Sequence, residues 1–162
     1  IKLLHNKCHI ETITTVIAEN KQEHCFILSK CGDLTLRDYC ANQLNLELMI
    51  QALNVYKDLQ KATINVVDDL VTIGVADWRL DKFLSLYNDM ISDTFFLTTH
   101  GLTSKHLAQL HDYQYIVKAL CEKLSNYAVP ECLNHSDFHD NNILYNKSLI
   151  YVKRISITNF FH

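Results

Sequence analysis

At 162 residues the chain is long enough for one ordinary domain, and 48% hydrophobic against 20% charged residues is a globular composition with no long disordered segment. A net charge of −3 with no basic run argues against a nucleic-acid groove, and no apolar stretch approaches the length that crosses a bilayer. The six cysteines form no CxxC pair and the first residues lack a signal-peptide pattern, so reduced thiols and a cytoplasmic location are expected.

Only three glycines and one proline are present, which leaves Asn, Asp and Ser to build the loops. "IKLLHNKCH" has apolar residues at helical spacing. "ITTVIAEN" and "HCFILSK" are β-branched or aromatic runs separated by the polar "NKQE", the pattern of an antiparallel pair. Gly32-Asp33 then breaks the strand, and Thr35 is placed to cap a helix beginning at Leu36. A helix is expected from Leu46 to Ala62, with Leu46, Met49, Ile50, Leu53, Tyr56, Lys57 and Leu59 on one stripe. "DWRLDKFLSLYNDMI" (77–91) gives another. A third is expected to run unbroken from Ser104 to Tyr127, capped by Thr103, with Leu107, Leu110, Tyr113, Val117, Leu120 and Leu124 inward. After Pro130 come a polar loop and the short strands of "ILYN" and "YVKRISITNF". The expectation is an α+β fold, mostly helical with small β elements.

Chemistry concentrates in "LNHSDFHDNNILYN" (133–146). Three readings compete for it. His135, Asp137, His139 and Asp140 are ligand types for zinc or a di-metal pair, as in a metal-dependent hydrolase. Asn and Asp also build turns by hydrogen-bonding their own backbone, with no chemistry at all. The third reading is phosphoryl transfer. His135-x-Asp137, four residues, then Asn142 reproduces the spacing of a kinase catalytic loop. There the aspartate takes the proton of the attacking hydroxyl, the asparagine holds a magnesium ion, and the histidine shapes the backbone.

"HSDFHDNNIL" resembles the HGDxHxxNIL signature of the aminoglycoside phosphotransferase and choline-kinase-like family of small-molecule kinases. "CFILSKCGDLTLRDY", "GVADWRLDKF" and "YAVPECLNHSD" extend the resemblance over nearly the whole chain. It implies a protein-kinase-like fold, truncated to a hinge hairpin, a mostly helical C-lobe, the catalytic loop and a β-hairpin. Residues 1–31 would be the remnant of the N-lobe and hinge, and 32–162 part of the C-lobe. It also implies ATP and Mg²⁺ as cofactors and a small-molecule acceptor. Asp137 would be the catalytic base, and His135 and His139 structural in the loop. Leu28, Ser29, Lys30 and Cys31 would form the adenine-holding hinge, with Asn142 and Asn159 as metal ligands. Asn159 stands where the family has an aspartate, and an amide is a poorer magnesium ligand than a carboxylate. The opening on Ile1 and the close on "ISITNFFH" are expected of a piece of something longer, without the family's phosphate-covering loop and strand lysine. An inactive fragment, a pseudokinase or a decayed remnant kept for binding are therefore expectations beside the active kinase.

Overall fold

In the computed structural model, residues 1–146 and 149–152 are described in full and 157–159 by their backbone. They form a mixed α+β structure in two compact units, Ile1–Ala76 with Cys132–Asn159, and Asp77–Glu131. The loop at 133–142 thus shares a unit with the first 76 residues.

The first unit opens with α1 (Lys2–Cys8) and the antiparallel pair β1 (Val16–Asn20) and β2 (Cys25–Leu28). Asn20 closes their turn, its side-chain oxygen accepting from the Gln22 and Glu23 N–H groups at 3.0 and 3.3 Å. β3 (Leu34–Thr35) leads into the short α2 (Leu36–Tyr39), where the Thr35 hydroxyl caps the Asp38 N–H at 3.1 Å. β3 also pairs with β5 (Ile143–Asn146), matching Leu34 to Tyr145 and Thr35 to Leu144. β5 in turn forms a hairpin with β6 (Leu149–Val152). Gly32 makes this approach possible: a Cβ there would lie 2.8 Å from the Leu144 Cβ.

Helix α3 (Leu46–Thr63), capped by Asn45, packs over this sheet. Leu36, Ala52, Ile143 and Ile150 form the core between them, flanked by Leu48, Met49 and Val55. The inward stripe is therefore 48-52-55-59-63, which overlaps the expected one only in part: Leu59 is buried and Met49 and Tyr56 half-buried, whereas Leu46, Ile50 and Leu53 are about half exposed or more. The small side chains of Ala52 and Thr63 allow close packing, a feature that a search for large apolar residues passes over. A 3₁₀ turn at Ile64–Val66 and α4 (Val67–Thr72) complete this half.

The second unit is helical, with α5 (Leu80–Ser92), α6 (Thr94–Thr99), α7 (Ser104–Asp112) and α8 (Gln114–Ser125). α5 packs on α7 and α8, and the Tyr87 hydroxyl donates to the Leu110 carbonyl at 2.6 Å. Thr103 caps α7 in a reciprocal box with His106. The single helix expected over 104–127 is interrupted at Tyr113, but only by one residue whose dihedrals stay near helical (φ −78°, ψ −9°). Its half-buried stripe is Leu107, Leu110, Gln114, Val117 and Cys121, which continues through the break. Tyr113, Leu120 and Leu124, expected inside, are exposed.

Among the described residues no helix is long and apolar enough to cross a membrane.

Candidate active site

The loop hangs from α3. Leu133 is fully buried and its N–H donates to the Thr63 hydroxyl at 3.0 Å; that hydroxyl donates to carbonyls of the preceding turn. Two residues on, in β4 (Asn134–His135), the His135 N–H donates to the Tyr56 hydroxyl at 2.8 Å. The same hydroxyl donates to the Asn134 side-chain oxygen. The Tyr56 ring lies parallel to Phe138, with centroids 4.4 Å apart. Burial pushes the Tyr56 hydroxyl above its ordinary pKa, against the opposing pull of the His135 N–H.

The His135 imidazole is buried and shapes the turn that follows, its Nδ1 accepting from the Asp137 N–H at 3.1 Å. That turn delivers the Asp137 carboxylate to an exposed position, with two-thirds of its side chain open. The strand β7 (Ile157–Asn159) runs antiparallel to β4, placing the Asn159 backbone opposite Asn134. The expectation for the Asn159 side chain lies outside the described residues.

A 3₁₀ turn, Asp140–Asn142, closes the loop, with His139 as its cap: Nδ1 accepts from the Asn141 N–H at 3.1 Å. Asn142 then folds back on Asp137. Its Nδ2 donates to the Asp137 carbonyl at 2.9 Å and to Oδ2 of the same residue at 2.8 Å. That nitrogen, which also lies 3.2 Å from His139 Nε2, is the branch of the amide turned to Asp137. The Asn142 Oδ1 therefore lies on the opposite branch of the amide, facing away from the carboxylate. His135, Asp137, His139 and Asn142 are thus brought into one compact arrangement.

Arg37, on α2, braces the loop from the other side. Its Nε and Nη2 donate to Asp140 Oδ1 at 3.1 and 2.7 Å, and Nε lies 3.2 Å from Oδ2. The Arg37 guanidinium holds the Asp140 carboxyl below the usual carboxylate range.

Leu28 to Cys31 follow β2. The Ser29 N–H donates to the Thr15 carbonyl at 2.8 Å, and its own carbonyl accepts from the Thr14 hydroxyl at 2.8 Å. Ser29 is thereby tied to the segment leading into β1 through both backbone groups. Lys30 pairs with Asp33 at 2.5 Å, and the Cys31 thiol lies 3.8 Å from the Ser29 carbonyl. Gly32 and β3 join this segment to β5, the strand that leaves the loop.

Other acidic residues are tied up locally. Asp77 and Arg79 form a two-pronged pair at 2.8 and 2.6 Å before α5, each about one-fifth exposed, with Glu131 3.6 Å from Arg79. The hydrogen bond from Arg79 holds the Asp77 carboxyl low. Asp69 pairs with Lys7 at 2.7 Å.

Tyr56, Thr63 and Arg37 escaped the sequence reading. Tyr56 counted there as part of an apolar stripe, although a buried tyrosine needs a partner for its hydroxyl. No local signal marks Arg37, whose partner lies 103 residues away. Among the described residues, no group of three or more His, Cys, Asp and Glu side chains is placed to hold a metal ion. No family model, curated protein or solved structure matches the chain.

Proposed function

We propose that the loop at 135–142 performs phosphoryl transfer, and that the chain carries the catalytic loop of an ATP- and Mg²⁺-dependent kinase acting on a hydroxyl of a small polar molecule. The proposed fold is protein-kinase-like, of the kind that the resemblance to aminoglycoside phosphotransferases and choline kinases implies. The observation that carries the reading is the pair of hydrogen bonds from Asn142 Nδ2 to Asp137. It couples the two residues that this chemistry needs at that spacing, and it turns the amide oxygen outward, as a ligand to a hard cation must be. A polar turn would need neither the exposed carboxylate nor the oriented amide.

In this mechanism Asp137 accepts the proton of the attacking hydroxyl, and His135 keeps the loop backbone in the turn that exposes it. Asn142 Oδ1, with Asn159, would hold magnesium, which when bound neutralises charge on the nucleotide phosphates. Leu28 to Cys31 would lie along the adenine, with Ser29 anchoring the segment rather than offering its own backbone groups.

The test is titration of the full chain with Mg·ATP, followed by phosphate-transfer assays against amino sugars, amino alcohols and related polyols. Asp137→Asn is expected to lower transfer by at least 10²-fold while leaving the fold intact. Unchanged transfer would end the assignment. A second reading, a nucleotide-binding or binding-only pseudokinase, is favoured by one feature: no Asp or Glu occurs from 141 to 162, so Asn159 occupies the place of a carboxylate. Mg·ATP binding without transfer to any acceptor would support it.

A further inference from the structure

A helix that packs one stripe inward normally turns polar residues to solvent on its other faces. Helix α8 departs from that pattern. Gln114, Val117 and Cys121 are half-buried and account for its inward stripe. Beside them runs a second row, Tyr113, Ile116, Leu120 and Leu124, spaced by three and four residues and exposed from 37% (Ile116) to 53% (Leu120). Helical phase is kept across Tyr113, because the half-buried stripe continues through it, so these side chains form one ridge. A contiguous apolar ridge of this kind, unlike single exposed apolar residues, marks an interaction surface.

The charges beside the ridge say what it fits. Asp112, at the end of α7, and Lys123, near the end of α8, are eleven residues apart, about three turns of helix, and so share one line. That line is the flank of the ridge opposite the half-buried stripe. Both residues are exposed, and among the described residues neither forms an ion pair. Lys118 and Glu122, on the face turned away from the ridge, lie 4.0 Å from each other.

We propose that the ridge is the contact face of a homodimer in which α8 packs antiparallel against α8 of a second copy. A two-fold axis through the middle of the ridge sets Asp112 of one copy against Lys123 of the other, and symmetry repeats the pair. Side chains spaced by three and four interdigitate along the seam, and the two helix dipoles oppose each other. A parallel pair would leave both charges without a counterpart, because the other flank of the ridge is the uncharged, half-buried stripe. The proposal lies in the helical unit and is independent of the phosphoryl-transfer reading.

The experiment is sedimentation equilibrium of the full chain in low salt, from about 1 µM to about 1 mM, the range of weak to moderate association. A monomer–dimer equilibrium is expected. Leu120→Glu should raise the dimer Kd about tenfold or more, since it sets two carboxylates in the seam, with an unchanged circular dichroism spectrum because Leu120 is exposed in the single chain. Asp112→Lys sets lysine against lysine in both symmetric pairs, and Lys123→Asp sets aspartate against aspartate; each should weaken self-association about fivefold or more. In an equimolar mixture of the two variants every pair is again opposite in sign, and a heterodimer of near-native Kd is expected.

A native chain that stays monomeric through that range overturns the proposal, including the case in which the ridge serves a different protein. So does a dimer that Leu120→Glu leaves intact, which would use another face. Charge variants that mixing fails to rescue overturn it as well, since the copies would then meet in another register.

Discussion

Replacing Tyr56 with Phe tests whether α3 holds the loop through a single hydroxyl. The substitution keeps the ring that stacks on Phe138 and removes one oxygen. Two hydrogen bonds go with it, one received from the His135 N–H and one given to the Asn134 side chain. The half-buried Asn134 can turn toward water, so its loss costs about 0.5–1 kcal/mol. The His135 N–H sits on a residue only 5% exposed, and leaving such a donor without a partner costs about 1–3 kcal/mol. The sum, about 1.5–4 kcal/mol, should lower Tm by roughly 3–16 °C in a chain of this length. Urea unfolding followed by circular dichroism gives the same quantity through the midpoint at an unchanged m-value. Tyr56→Leu should lose about 0.5–1.5 kcal/mol more, because ring stacking goes as well. A fall of less than about 0.5 kcal/mol in Tyr56→Phe would refute the anchoring role, since it lies below the cost of one unsatisfied buried donor. The hydroxyl also has a signature in alkali. Its folded-state pKa is raised by burial, so its contribution is fully present below about pH 10 and is lost as pH rises through the folded value. Tyr56→Phe should remove that alkaline loss.

Gly32→Ala should destabilise by about 1–3 kcal/mol, read from the denaturant midpoint, because its Cβ would enter the space of Leu144; an unchanged midpoint would show that β3 and β5 can part without cost. Leu133→Ala, at a fully buried site, should cost about 2–5 kcal/mol by the same measurement. The pair between Arg37 and Asp140 is exposed and should respond to salt and acid. A double-mutant cycle should find its coupling weakened at high ionic strength. Because the folded-state Asp140 pKa is depressed, that coupling is present above the ordinary carboxylate value and disappears as pH falls through the folded one. Coupling that persists in acid or in molar salt would contradict the assignment.

Local chemistry was legible in the sequence wherever a residue acts on its near neighbours. The hairpin with its Asn20 turn, the Thr35 and Thr103 caps and the start of α3 all follow from side chains bonding to backbone within a few residues. The loop motif was legible for the same reason, since Asp137, His139 and Asn142 lie within one turn of chain and their spacing fixes their mutual reach. Tertiary structure decided what depends on distant partners. Which face of α3 turns inward was set by what lies beneath it, the sheet under Ala52 and the Leu133 backbone under Thr63, while Leu46, Ile50 and Leu53 stay exposed. The anchoring of the loop by Tyr56, Thr63 and Arg37 spans 70 to 103 residues, and no pattern in a single sequence encodes such a pairing. Hydrogen bonds within a turn are dictated by chain connectivity, whereas those between elements exist only once burial of apolar surface has brought the elements together.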